Sequence, residues 1–119
     1  MAGSVSWVLE LQVQPGRSDE LRTLMEEMVS STHAHESGTH GYEWYMSADG
    51  SQCHLYERYA DSAAALVHCQ TFGARFAGRF MALLTPTRCT VYGSPDASVQ
   101  DALSVLQPTY LGQAAGFHR

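Results

Sequence analysis

Two aromatic-rich segments on either side of an Asp-Gly pair constrain the fold of this chain more than any other feature. Residues 41–46 and 53–61 alternate large apolar side chains with polar ones, as a half-buried β-strand does. Asp49 and Gly50 lie between the two segments, and glycine readily adopts the positive φ of a tight turn. The pattern therefore predicts a β-hairpin at the centre of the chain.

One strand and one helix are predicted before this hairpin. Apolar and polar residues alternate from about Val5 to Val13, which predicts a strand with one buried face. Ser18 is the predicted N-cap of the first helix, because a serine side chain can accept a hydrogen bond from a free N–H of the first turn. Apolar residues at helical spacing then predict a helix from about Asp19 to His33 or His35.

Two helical segments are predicted after the hairpin. Asp61 is the expected cap of a helical region at residues 62–69. A second helical stretch is expected at residues 72–84, after a break near residues 70–73 where glycine weakens the helix. Pro86 is expected to end this stretch, because proline lacks the N–H that a helix requires.

A last strand at residues 87–93 completes the order β-α-β-β-α-β, which is the ferredoxin-like plan. The predicted fold class is α+β, with an antiparallel sheet in a domain at residues 1–93. Residues 94–119 are expected to form a C-terminal extension, a short helix and an apolar tail, that packs on the domain or on a partner subunit. Two helices can cover only one face of the sheet, so large side chains on the other face, such as Trp44 or Tyr45, predict a homodimer.

Size and charge exclude several classes of partner. A chain of 119 residues suits one domain. Its net charge is −5 with only seven lysines and arginines, which argues against nucleic acid because such binding depends on clustered positive charge. No apolar run approaches the ~20 residues that span a bilayer, and the N-terminus lacks the pattern of a signal peptide. A cytoplasmic location without a membrane partner is therefore expected.

The spacing of cysteines and histidines predicts no metal site. Three cysteines lie far apart in the chain and form no C-x-x-C pair, so free thiols are expected at Cys53, Cys69 and Cys89. His33 and His35 would lie about 200° apart on a helix and could not bind one ion together.

Residues 57–71 resemble the antibiotic biosynthesis monooxygenase family of the dimeric α/β-barrel superfamily. The family pattern there is a strand ending in Glu-x-aromatic, a turn with an acidic residue, a run of Ala and Leu, and then His and Thr-Pro-His. The residues that match it are Glu57, Tyr59, Asp61, Ala65, His68 and Thr71. Gly41-x-x-x-Tyr45 and the Asp49-Gly50 turn match as well, whereas Phe72-Gly73 stands where the family often has Pro-His. The resemblance covers about residues 5–93.

The resemblance implies a homodimer whose two sheets pack face to face as a barrel, with a ligand pocket in each subunit between sheet and helices. Similar members of the family oxidise quinol-like or polyketide aromatics with O₂ and use neither metal nor flavin, so no cofactor is implied for this chain. Other relatives degrade haem, isomerise small metabolites or have no known activity. The fold alone does not choose among these activities.

His68 and Glu57 are the candidate catalytic residues. A neutral His68 imidazole beside an apolar helical stripe is suited to accept a proton from a phenolic substrate near pH 7, and Glu57 is suited to orient or tune it. Both residues also have a structural alternative. His68 is compatible with a bond to a backbone carbonyl at a helix end, and Glu57 with a salt bridge to Arg75 or Arg79.

The candidates for substrate binding are Tyr59, Trp44, Tyr42, Phe72 and Arg75. The four aromatic side chains suit a flat ligand. Packing in the core or in a dimer interface is the alternative for these rings, because large aromatic side chains contribute most of their energy there.

The leading functional hypothesis is a cofactor-independent monooxygenase acting on a small aromatic molecule such as a quinol, because such a substrate can itself reduce O₂ once it is deprotonated. Two alternatives stay open: a non-catalytic dimeric binding or stress-response protein whose pocket is filled by side chains, and an isomerase of small oxo-compounds. A cavity of a few hundred Å³ near His68 would distinguish an open site from a filled one.

Overall fold

The protein folds as a five-stranded sheet with helices packed on one face, in a computed structural model that describes residues 3–119. The elements in chain order are β1 (Val5–Val13), α1 (Ser18–His35), β2 (Thr39–Met46), β3 (Gln52–Tyr59), α2 (Ser62–Arg75), α3 (Ala77–Leu83), β4 (Leu84–Gly93), α4 (Ala97–Leu103), a 3₁₀ turn (Ser104–Leu106) and β5 (Thr109–Leu111). None of the helices in this part of the chain is long and apolar enough to cross a bilayer. The first two residues, on which the signal-peptide prediction partly rests, lie outside the described residues.

The strands are arranged in the order β2-β3-β1-β4-β5. The first four in this order run antiparallel to their neighbours, and β5 runs parallel to β4. Trp7 in the central strand lies opposite Glu57 of β3 on one side and Val91 of β4 on the other. This arrangement confirms the predicted ferredoxin-like α+β fold and its central hairpin.

Alternate residues of β1 form the centre of the core, as the period of two predicted. The buried apolar side chains of this strand are Val5, Trp7, Leu9, Leu11 and Val13. Helices α1 to α3 cover this face of the sheet, and Val99 and Leu103 of α4 belong to the same core. The helix of the C-terminal extension therefore packs on its own domain, while Leu111 and Phe117 of the tail remain exposed.

The helix ends differ from prediction in two places. Ser18 is the first residue of α1 instead of its cap, and Arg17 precedes it without a capping side-chain hydrogen bond. The break between α2 and α3 falls at Phe76, whereas Gly73 lies inside α2. Because Phe76 is buried in the core, tertiary packing fixes the position of the break and overrides the low helix propensity of glycine.

The fourth strand begins earlier than predicted, and one of the two residues named for the open face lies there. Pro86 lies within β4, opposite Leu11, where the pairing of β1 with β4 shifts register. Such an irregularity accommodates a residue that cannot donate to the ladder. Trp44 points to the helix-covered face, where its ring centroid is 6.0 Å from that of Phe80. Only Tyr45 of the two expected residues lies on the open face, with 56% of its surface exposed.

We predict that Gly38→Ala destabilises the protein by about 1–3 kcal/mol, the usual cost of overpacking a tight contact. A Cβ atom at Gly38 would lie 2.6 Å from Cβ of Ala64, so α2 would have to move away from the segment before β2. Gly73→Ala is the matched control, since a Cβ there meets nothing within 4 Å and alanine favours the helix by about 1 kcal/mol. The urea concentration at the midpoint of unfolding should fall for Gly38→Ala and rise for Gly73→Ala. A shift in the same direction for both variants would contradict the close contact.

Candidate active site

A buried histidine lies between two buried carboxylates in the layer between sheet and helices. His68 Nδ1 is 2.8 Å from Glu36 Oε1, and His68 Nε2 is 3.2 Å from Glu57 Oε1. All three residues are buried. Because buried charges require partners of opposite charge, these three side chains form one electrostatic unit, called here the Glu-His-Glu cluster.

Two close contacts bring Glu36 and His68 together. The side chain of Asp61 caps α2 by accepting a hydrogen bond from the Ala64 N–H at 2.8 Å, which confirms the predicted cap. Gly38 allows the segment after α1 to approach the first turn of α2, because it has no side chain to strike Ala64. Glu36, at the end of α1, is thereby placed against His68 in α2.

Each carboxylate of the cluster also accepts a hydrogen bond from a hydroxyl group. Tyr59 donates to Glu57 Oε1 at 2.5 Å, and Thr39 donates to Glu36 Oε1 at 3.2 Å. Both contacts made by Glu57 use the same oxygen, Oε1. Among residues 3–119, Oε2 of Glu57 is therefore the oxygen that stays available to a ligand.

Both ring nitrogens of His68 face carboxylate oxygens, and each such contact needs an N–H group. Burial of the ring lowers its pKa, but the hydrogen bonds and charges of Glu36 and Glu57 outweigh burial and raise the pKa of His68 to about 9. A pKa this high favours an imidazolium ion at pH 7, in contrast to the neutral proton acceptor expected from the sequence. With both glutamates ionised, two negative charges and one positive charge leave the cluster with a net charge of −1.

An open cavity of about 300 Å³ adjoins the cluster, between the sheet and the helices. Its walls are largely apolar and include Trp7, Leu9, Leu55, Phe72 and Phe80. Glu57, His68 and Cys69 also line it. The cavity has the size expected of a small-ligand site, with the acid-base cluster at its wall.

The predicted site residues occupy three kinds of position. His68, Glu57 and Phe72 line the cavity, and Tyr59 lies behind Glu57 as its hydrogen-bond donor. The ring of Tyr42 lies behind the cluster, with its centroid 5.3 Å from that of His68. Burial, followed by the charge of Glu57, raises the pKa of Tyr42, so its hydroxyl stays protonated.

The two remaining candidates lie away from the cavity wall. Trp44 packs against the ring of Phe80 and supports it from behind. Arg75 donates a hydrogen bond to the Ser31 hydroxyl at 2.9 Å, and its guanidinium lies 5.0 Å from the centroid of the Phe76 ring. Through these contacts, Trp44 and Arg75 stabilise the structure around the cavity.

The partners named in the structural alternatives for Glu57 and His68 differ from those in the structure. Glu57 pairs with His68 instead of an arginine, since Arg75 binds Ser31 and Arg79 binds Glu27 at 2.7 Å. Both ring nitrogens of His68 contact side-chain carboxylates instead of a backbone carbonyl at a helix end.

Glu36 is the functional candidate that sequence reasoning missed. It lies in a polar turn, 32 residues before His68, and a glutamate in such a turn is ordinarily exposed. Because Glu36 and His68 lie in different elements, no periodic spacing in the sequence could pair them.

The three cysteines are protonated thiols at neutral pH. Burial raises the pKa of Cys53 and Cys89 to about 11 and that of Cys69 to about 12, so all three stay protonated and unreactive at neutral pH. Among residues 3–119, no three His, Cys, Asp or Glu side chains are grouped as metal ligands.

We predict that the His68 ring titrates with a midpoint near pH 9, measurable by NMR. Its pKa is higher in the folded protein than the 6.5 of a free histidine, so its stabilising effect is fully present below about pH 6.5 and is lost as the pH rises through about 9. The loss is on the order of 3 kcal/mol. Glu36→Gln should lower the midpoint and flatten this dependence, whereas His54→Gln, on the open face, should change neither. A His68 midpoint below pH 7 would contradict the charged cluster.

Known structures share this fold, in one case over almost the whole chain. MupZ from Pseudomonas fluorescens superimposes with a TM-score of 0.85, over 98% of this chain and 95% of that protein, at 18% identity. SnoaB, a cofactor-independent oxygenase from Streptomyces nogalater solved as a variant, superimposes with a TM-score of 0.64 over 81% of this chain and 97% of SnoaB, at 14% identity. At such low identity, these two likenesses show the fold alone.

Sequence comparison adds a nearer relative and a family. Rv0793 of Mycobacterium tuberculosis is 34% identical over 68 residues, which span 57% of this chain and 66% of that protein, just under two thirds. Its solved structure superimposes with a TM-score of 0.60 over 78% of this chain and 96% of its own, at 32% identity. The family model described as antibiotic biosynthesis monooxygenase matches residues 4–76, and the chain belongs to this family.

Proposed function

We propose that this protein is a cofactor-independent monooxygenase that oxidises a quinol-like or polyketide aromatic with O₂. The observation that carries the proposal is a charged Glu-His-Glu cluster at the wall of an open, apolar cavity of about 300 Å³. Membership of the family supports it, as does the shared fold of SnoaB, itself a cofactor-independent oxygenase.

The first step is removal of a proton from the substrate. A hydroxyl or acidic C–H group in the cavity lies next to Glu57, whose Oε2 takes the proton, while the imidazolium of His68 keeps a positive charge beside the new substrate anion. This assigns the base to Glu57 and the electrostatic role to His68, the reverse of the division expected from the sequence.

The substrate anion then supplies the electrons that O₂ requires. One electron passes to O₂, the two radicals combine to a peroxide, and the proton held by Glu57 returns to the peroxide oxygen. Loss of water from this hydroperoxide leaves a carbonyl group. For an anthrone, a CH₂ group and O₂ become C=O and H₂O, so the reaction balances with no other reductant.

The open cavity supports this proposal over the alternative of a non-catalytic protein whose pocket is filled by side chains. The apolar walls suit both an aromatic ring and O₂, and they keep water from the anion during the reaction. An isomerase would use the same base but would consume no O₂, so measurement of O₂ separates the two activities.

We predict that metal-free protein accelerates O₂ uptake with a panel of naphthoquinols and anthrones, and that Glu57→Gln lowers kcat by about 10²–10⁴-fold, the usual loss for a general base. The matched control is Glu10→Gln, because Glu10 also lies near a histidine, at 3.7 Å from His54, but on the open face of the sheet. An O₂ electrode gives both rates. Equal rates for Glu57→Gln and wild type would remove Glu57 as the base.

We also propose that the protein is a cytoplasmic homodimer, formed through the open face of the sheet. Proteins of this family commonly dimerise and bind small molecules. The open face carries Tyr45 and Tyr92, two large exposed side chains that suit an interface.

Light scattering should give about twice the chain mass of 13.1 kDa. Tyr45→Asp should weaken the dimer because it introduces a charge into the interface. Val29→Asp on α1 is the matched control, since Val29 is exposed on the helical side and should leave the mass unchanged. A wild-type protein that is a stable monomer at micromolar concentration would contradict the proposal.

A further inference from the structure

We infer that the cavity selects a neutral hydroxylated aromatic with an apolar substituent, and that it rejects the same ring when it carries a carboxylate. The inference rests on the proposed function for the fate of the ligand, whereas its account of binding depends only on the charges and surfaces that line the cavity.

The charge of the lining excludes an anionic ligand. Glu57 lines the cavity, and the Glu-His-Glu cluster to which it belongs carries a net charge of −1. Nδ1 of His68 is hydrogen-bonded to Glu36, Nε2 lies 3.2 Å from Glu57 Oε1, and the lining contains no arginine or lysine. A carboxylate on the ligand would therefore be desolvated beside negative charge without a cation to pair with.

A neutral hydroxyl group fits the same wall. Oε2 of Glu57 is available to accept a hydrogen bond, and a hydroxyl can donate one without bringing a charge into the cavity. The remaining wall is apolar, so a single polar group on the ligand satisfies the site.

The mouth of the cavity is apolar as well. Met81 is 52% exposed and Val105 is 83% exposed, and both belong to the lining, so this wall continues to the surface. Pro86 and Leu106 line the same region. An apolar substituent that extends outward between these side chains would remove their surface and its own from water.

Selection of the apolar substituent comes from the C-terminal half of the chain. Every residue named at the mouth follows residue 76, where the segment matched by the family model ends. The cluster that carries the chemistry lies within the matched segment, since Glu36, Glu57 and His68 all precede that residue. The reaction and the choice of substituent are thus assigned to separate parts of the chain.

Binding can be measured without turnover by isothermal titration calorimetry under anaerobic conditions. The probes are 1-naphthol and its 4-methyl, 4-propyl and 4-pentyl derivatives, with 4-hydroxy-2-naphthoic acid and its methyl ester as a charged and a neutral pair whose acid group lies on the hydroxyl side of the ring, near Glu57. Kd should fall about fourfold per added methylene while the chain contacts the mouth. The acid should bind roughly 100-fold or more weakly than the ester.

Two variants assign these effects to residues. Glu57→Gln should reduce the difference between acid and ester at least tenfold, because it removes the negative charge from the wall. Val105→Asp should abolish the gain from the pentyl chain, measured as the ratio of the Kd of 4-pentyl-1-naphthol to that of 1-naphthol in the same variant. Val67→Asp is its matched control, since Val67 is 47% exposed on α2 and lies outside the lining.

The outcomes separate this inference from the proposed function. Equal affinity for acid and ester would overturn the charge selection, and a constant Kd along the alkyl series would overturn the apolar mouth. O₂ uptake is then measured aerobically with the same naphthols and the anthrones of the previous panel. Selective binding without O₂ uptake would contradict the proposed monooxygenase activity and support the inferred ligand class. O₂ uptake without selective binding would support the activity and contradict the ligand class.

Discussion

The interaction on which the rest of the site depends is that of His68 with Glu36 and Glu57, two buried carboxylates that lie on either side of its ring and are stabilised by its positive charge. Removal of His68 would leave Glu36 and Glu57 buried without a partner, a change that typically costs 3–5 kcal/mol in proteins. His68 therefore stabilises the fold as well as the proposed reaction. A loss of activity in a His68 variant would mix both effects, so Glu57→Gln, which keeps the shape of the side chain, isolates the chemistry.

The sheet register explains why Glu57 was recognisable from the sequence. On β3 it shares the helix-covered face with Leu55 and Tyr59, so a period of two already placed a charged residue among apolar neighbours. Such a residue must find a partner, and the sequence offered both His68 on the next helix and the arginines Arg75 and Arg79. Glu36 gave no comparable signal, because its burial depends on the close approach of Gly38 to Ala64. That contact is tertiary and leaves no trace in local periodicity.

The same distinction separates correct from incorrect predictions of the fold. β1, the hairpin and the Asp61 cap follow from neighbouring residues alone, and the structure has them as predicted. Pro86 in β4 and the helix break at Phe76 depend on which surface each residue meets, and packing decided against the local preference. β5 spans only three residues, which is too short for an alternating pattern to predict a strand. It is held by parallel pairing with β4.

The C-terminal extension shows how one amphipathic segment can serve both the fold and the site. Leu103 is buried in the core and also lines the cavity, whereas Val105 lines the cavity from an exposed position. Gln107 follows with a left-handed φ of 50°, which turns the chain away from the cavity and toward β5. Val105 lies between the buried Leu103 and the turn at Gln107, and its own side chain is exposed. A substitution of Val105 therefore removes no core contact, so the mouth of the cavity can change while the Glu-His-Glu cluster stays the same.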